Sequence, residues 1–369
     1  MAEAIHKIFM RLYQIKNFFL KFFFSLLNLK QKKEIPFQAI KKIAIFSTTG
    51  LGDSLWATPA LKVLKESYQE AHVTLVTSAV GKEVLLNNPD VDEVIVYSLF
   101  SFWQLFKILK KKQLDAIIIF HASQRKLFVL AKCLNPIFLI GTKGRNKDLD
   151  FIFTHLVLPQ FHEHEIERRI RLVEAIHAKS THLNKLSLHI SQEERDEADF
   201  FLKTHGITKN DLLIGIHPGS KDPYKRWPKE YFEEVAKRIK AKHPVKIIFT
   251  GGMDEGELIL HFKRLFPDSV GIFGQVSIRT LIAIIERMKC FLTNDTGPMH
   301  IGYALEIPTI GLFSPTNPKN CGPYNAKNSY ALFVNRCCTP CLQRKCKDPF
   351  CLRQIKKQAV IDLMSNIIK

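Results

Sequence analysis

Short apolar runs alternate with helix-like stretches twice along this chain, and that rhythm restricts its fold more than any other feature. From Lys42, "KIAIFS" is a buried strand, followed by a glycine-containing turn, a helix over about 53–68 and the strand "HVTLVTS". "EVIVYS", a helix near 101–112, "DAIIIF" and another helix complete the first series. The polar, helix-like "SQEERDEADFFLKTHG" separates it from a second series. That series holds "LLIGIHPG", a helix from about Pro228, "VKIIFTGG", helices through 255–265 and from Ser277, "CFLTND" and "PTIGLFS". Strands that read as unbroken apolar runs between helices belong to parallel sheets covered on both faces. The pattern predicts an α/β fold of two doubly wound domains in tandem. Such sheets bind ligands beyond the carboxyl ends of their strands, so two domains facing each other enclose a cleft.

The polar loops occupy those strand ends. After the first strand, "TTGLGDSLWATPAL" sets Gly50 and Gly52 in the turn and Asp53 at the start of a helix. The third glycine of a dinucleotide fingerprint is missing. A carboxylate there serves as a helix cap or, facing the cleft, as a general base. In the second half, "HPGSKDPYKRWP" offers Gly219, Ser220 and Lys225, a hydroxyl, backbone N–H groups and an ammonium suited to a diphosphate. "FTGGMDEGE" offers Asp254 and Glu255 as rival acceptors for ribose hydroxyls, and "TNDTGPMH" places Asp295, Thr296, Gly297 and His300 around a helix start.

The net charge of +19 calls for an anionic partner, and its excess lies at the ends. Residues 1–33 carry seven Lys/Arg against one Glu, and residues 335–369 carry eight against two Asp. No nucleic-acid module accompanies this charge, so no nucleic-acid partner is expected. Ile5, Ile8, Phe9, Leu12, Ile15, Phe19, Phe22, Phe23 and Leu26 recur at helical spacing, and Lys16 and Lys21 interrupt what a membrane span would require. An amphipathic helix on an anionic membrane surface is the expectation, with packing on the protein itself or on a partner as the alternative. Cys338, Cys341, Cys346 and Cys351 follow one another at x2, x4 and x4, and only the first pair has usual zinc spacing. A metal knuckle, disulfides or reduced thiols are all compatible with that run. The absence of an export signal favours a reducing compartment.

"GLGDSLWATPAL", "HPGSKDPYKRWP", the "TGG" strand end and "NDTGPMHIGYALEIPTIGLFSPTNP" occur in an order and spacing that resembles the ADP-heptose:lipopolysaccharide heptosyltransferases, glycosyltransferase family 9. The resemblance runs from about Ile43 to Pro323 and into the cysteine-bearing tail. It implies a GT-B fold, with two Rossmann-like domains about a central cleft. It also implies inverting transfer of heptose from ADP-heptose to a lipid A-linked core saccharide, with no cofactor and no bound metal. By motif match, Asp53 resembles the catalytic base, and Ser220 and Lys225 the diphosphate contacts. Asp295, Thr296 and Gly297 resemble the segment touching sugar and phosphates, Glu255 a ribose-binding acid, and His300 follows the same pattern. The expected organisation is a membrane-surface helix over 1–35, an acceptor-side domain over 36–188, a nucleotide-sugar domain over 189–352 and a C-terminal helix over 353–369 able to pack back on the N-terminal domain. The expected location is the cytoplasmic face of the inner membrane. A nucleotide-sugar epimerase of the same architecture and a non-catalytic membrane-associated scaffold are the competing expectations.

Overall fold

The computed structural model describes residues 17, 19–22, 24, 33, 35–97, 102–179, 185–339, 341–346 and 348–369. The first sheet comprises β1 (Lys42–Ser47), β2 (His72–Thr77), β3 (Glu93–Val96), β4 (Ala116–His121), β5 (Phe138–Thr142) and β6 (His155–Val157) in the order β3-β2-β1-β4-β5-β6. The second comprises β7 (Leu212–His217), β8 (Val245–Thr250), β9 (Val270–Ile272), β10 (Cys290–Asn294), β11 (Thr309–Phe313) and β12 (Ser329–Phe333) in the order β12-β11-β10-β7-β8-β9. Every strand pair is parallel. Each half therefore repeats one topology, with its reversal point between β1 and β4 or between β7 and β10. Open sheets part at such a point and leave a crevice at the strand ends.

Burial on both faces accounts for the apolar strands. In β1, Ala44 and Phe46 pack towards Phe128 and Leu130, while Ile43 and Ile45 belong to a second cluster on the opposite face. That second cluster continues into the other half through Leu213, Ile248 and Phe313, so one apolar core runs between the two sheets. A third, built on Ile214, Ile216, Phe232 and Phe249, covers the far face of the second sheet.

Three expectations change. The helix over about 53–68 is two, Leu51–Leu55 and Thr58–Ser67, broken before a Pro that fits only the first turn of the second. The C-terminal helix Lys357–Ile368 packs on the second half, with Val360, Ile361 and Met364 against the Trp227 and Phe232 cluster, and not on the first half. Strands β5, β6, β9 and β12 were not anticipated, and β6 and β9 span only three residues each.

Most of the predicted 1–35 helix lies outside the described residues. Residues 17, 19–22 and 24 are helical. Leu20 and Phe24 pack on the first half, while Phe19 and Phe22 are exposed. Asn17 donates to the Asp148 carbonyl (3.2 Å) and accepts from Arg125, and the Lys21 ammonium lies 5.0 Å from the centre of the Phe151 ring. No helix among the described residues is long and apolar enough to cross a membrane. All eight cysteines are free thiols, and no group of three or more His, Cys, Asp or Glu stands in metal-holding arrangement among the described residues.

Candidate active site

A cleft of about 690 Å³ opens between the halves at the strand ends, and Asp53, His121, Glu165, Arg168, Lys225 and Asp295 are among its walls. Asp53 follows β1 and His121 ends β4, so both stand at the reversal point of the first sheet. Lys225 follows β7 and Asp295 follows β10, the corresponding point of the second.

Asp53 lies in the first turn of Leu51–Leu55, and the cap residue of that helix is Gly50, which supplies no side chain. The Asp53 carboxylate is therefore not spent on capping. Its Oδ1 accepts from Nη2 of Arg169 (2.9 Å) and lies 3.5 Å from Nδ1 of His121. Arg169 is fully buried on the Glu165–Glu174 helix, where Nη1 also donates to the Glu165 carbonyl (2.8 Å) and to Glu165 Oε2 (2.7 Å). Arg168 donates to Glu165 Oε2 (2.7 Å), to the Phe120 carbonyl (3.0 Å) and to Thr142 Oγ1 (3.1 Å). Burial acts to raise the Asp53 carboxyl, but the His121 hydrogen bond and the Arg169 charge outweigh it and leave the group below its ordinary value. Glu165 is likewise held well below the carboxylate range, because Arg169 and Arg168 override its burial.

Across the cleft, Lys225 Nζ donates to Asp295 Oδ2 at 2.6 Å. Burial works against the ammonium, yet the Asp295 charge raises it above its ordinary value, so Lys225 stays charged. Thr296 caps the Gly297–Ala304 helix through its backbone alone, and its hydroxyl makes no capping bond.

Ser220, Glu255, Thr296, Gly297 and His300 are not among the cleft's walls. Ser220 and Glu255 gather around Gly219, where a Cβ would meet the Glu255 carboxylate at 2.2 Å. Glu255 Oε2 accepts from the Gly252 N–H (2.8 Å), while buried Oε1 has no hydrogen bond. Arg226 Nη2 lies 3.5 Å from Oε1. An orphaned acceptor held this way suits a ligand hydroxyl. The rival Asp254 is exposed. His300 is buried behind Asp53, its ring 4.8 Å from that of Trp56, and burial pushes its imidazole down to about 4.

Residues 102–350 match the family described as glycosyltransferase family 9 (heptosyltransferase). The chain belongs to glycosyltransferase family 9. It is 25% identical over 336 residues to a lipooligosaccharide heptosyltransferase 2 of Campylobacter jejuni, covering 89% of this chain and 98% of that protein. The crystal structure of a family 9 glycosyltransferase from Veillonella parvula aligns with TM-score 0.76 at 26% identity over 89% of this chain and 97% of the other. An E. coli ADP-heptose lipopolysaccharide heptosyltransferase II aligns with TM-score 0.73 at 18% identity over 89% and 98%, and shares the GT-B fold. As a family 9 enzyme the chain is a glycosyltransferase of heptosyltransferase type, and its two parallel six-stranded sheets are the two Rossmann-like halves of that fold.

Of the residues named from the motifs, Asp53, Lys225 and Asp295 line one cleft, and His121, Glu165, Arg168 and Arg169, which line it or pair with Asp53, were not among those named. The strand-end rule that singled out Asp53 applies equally to His121, the last residue of β4. Nothing in "EIERRIRLVE" marks Arg169 as buried, because a charged run on a helix reads as a solvated face.

Proposed function

We propose that this family 9 enzyme transfers heptose, with inversion, from ADP-heptose to a lipid A-linked core saccharide. The observation that carries the reading is the opposition of Asp53 to Lys225 and Asp295 across one cleft. Inverting transfer deprotonates an acceptor hydroxyl on one face of the sugar while a nucleoside diphosphate departs from the other. Asp53 and the groups paired with it form the basic side. Lys225 and the N-terminus of Gly297–Ala304 neutralise the diphosphate, without calling on a metal ion. Ser220 joins them through its hydroxyl, Glu255 Oε1 takes ribose hydroxyls, and Asp295 with Thr296 holds the sugar. His300, expected as a donor contact, is assigned to alignment instead, since it packs against the helix that bears Asp53 and stays neutral.

Incubation of the protein with ADP-heptose and a lipid A-linked core acceptor should release ADP and add one heptose to the acceptor, as read by mass spectrometry. Recovery of a free isomeric nucleotide sugar would assign an epimerase, and no consumption of donor would leave only a scaffold.

The acceptor is anchored in lipid, which gives the exposed Phe19 and Phe22 beside Lys21 a use as an anionic-membrane contact at the cytoplasmic face. Phe19→Glu with Phe22→Glu should weaken binding to phosphatidylglycerol vesicles at least about tenfold, given ~1.5–3 kcal/mol per buried Phe, with ADP binding unchanged. Equal vesicle binding by the double variant would remove this segment from the membrane contact.

A further inference from the structure

We propose that His164 is a positioning residue that ties the two halves together at one flank of the cleft and so keeps Asp53 at working distance from the donor side. The inference rests on the transferase reading and goes deeper into how its two sides are held in register. His164 is buried and precedes the Glu165–Glu174 helix, which carries Arg169 to Asp53. Its Nδ1 accepts from the Ile166 N–H (3.1 Å), and its Nε2 lies 3.3 Å from the carbonyl oxygen of Gly322 in the second half. A backbone N–H only donates and a carbonyl only accepts, so the two bonds together require a neutral ring with its hydrogen on Nε2. Burial, the leading cause, lowers the imidazole below its ordinary value, which favours that neutral form. One side chain thus caps a helix of the first half with one nitrogen and grips the second half with the other.

The segment it grips belongs to the cleft. Gly322 ends the Pro318–Cys321 helix, whose Asn320 and Cys321 line the cleft, as do Glu165 and Arg168 on the helix that His164 caps. Two further contacts reinforce the tie. Asn320 Nδ2 donates to the Glu163 carbonyl (3.2 Å), and the centre of the Tyr324 ring lies 4.7 Å from that of His164. Sheet order places another joint on the far side of Asp53. There Arg279, buried in the second half, donates to the Glu83 carbonyl of the first (3.2 Å) and pairs with Glu194 of the Gln192–Thr204 helix (2.7 Å). Glu83 follows β2 and His164 follows β6, on opposite sides of β1 and β4. Arg279 follows β9 and Gly322 follows β11, on opposite sides of β7 and β10. The halves are therefore fastened on both flanks of their reversal points. Neither Arg279 nor Glu83 is among the cleft's walls, so the fastening on the β6 and β11 side is the one built into the site. Loosening it leaves the proposed donor contacts intact, because the second half bears them all. It frees the helix that holds Asp53 to shift relative to them, and a misplacement of about 1 Å can cost about 10²-fold in rate.

Two substitutions divide the ring's duties. Asn is a favoured cap residue, so His164→Asn keeps an acceptor for Ile166 but is too short to reach Gly322. His164→Gln carries an amide N–H towards the Nε2 position and gives up the cap. His164→Asn should lower kcat at least about tenfold while the dissociation constant for ADP stays within about twofold, and His164→Gln should restore kcat to within about threefold of the unaltered protein. Hydrogen exchange reads the same division without turnover. His164→Asn should speed exchange across residues 318–324 and leave 165–174 unchanged, and His164→Gln should do the reverse. A His164→Asn enzyme within about threefold of the unaltered kcat, a His164→Gln enzyme as slow as His164→Asn, or both segments loosening together in either variant overturns the proposal. If the unaltered protein transfers no heptose, the transferase reading fails, and the exchange pattern alone decides whether His164 ties the halves.

Discussion

Asp53→Asn is expected to lower kcat by about 10²–10⁴-fold while donor affinity stays nearly constant. The substitution is close to isosteric, and no helix cap is lost because Gly50 holds that position. What disappears is the negative charge between Arg169 and His121. Without it the buried guanidinium keeps Glu165 as its ion-pair partner and the Trp56 ring as its neighbour, and the cleft loses the carboxylate that on the proposed reading makes this side basic. Steady-state kinetics under conditions where chemistry limits the rate, together with calorimetric titration of the donor, check this. Turnover near that of the unaltered protein would remove the basic function from this side of the cleft.

Lys225→Ala should behave differently, because on the proposed reading Lys225 faces charge that is present before the reaction and grows during it. Donor affinity and kcat should both fall, and kcat/KM by about 10²–10³-fold, as when a preorganised oxyanion-stabilising group is removed. The loss has a second source. Lys225 is the ion-pair partner of Asp295, whose side chain is 6% exposed, so removing the ammonium leaves a buried carboxylate unpaired beside the proposed diphosphate site. Titration with ADP isolates the binding part of the effect. ADP affinity unchanged in Lys225→Ala would place the diphosphate elsewhere.

The two mutations separate what the sequence makes legible from what it hides. Strands buried on both faces announce themselves as apolar runs, and residues just past them face the cleft, which is why Asp53, Lys225 and Asp295 could be named without coordinates. The apparatus that sets Asp53's charge state comes from a helix more than a hundred residues away in the chain, and pattern carries no information about which of its arginines turns inward. Arg168 and Arg169 are adjacent, and both are buried because the Glu165–Glu174 helix lies over the end of the first sheet with carbonyls and carboxylates to meet them. His300 stands apart from these: its position beside the donor motif suggests a contact, and the fold buries it with its ring against that of Trp56.

Gly52, one residue before Asp53, has a Cβ position that would lie 2.7 Å from Cδ2 of His300. Proton transfer and displacement tolerate errors of only tenths of an ångström in the placing of reacting groups, and here one missing methyl group sets the gap between a helix of one half and a helix of the other. The spacing of the machinery is thus gauged by an atom the chain lacks, at the residue next to the one whose aim it controls.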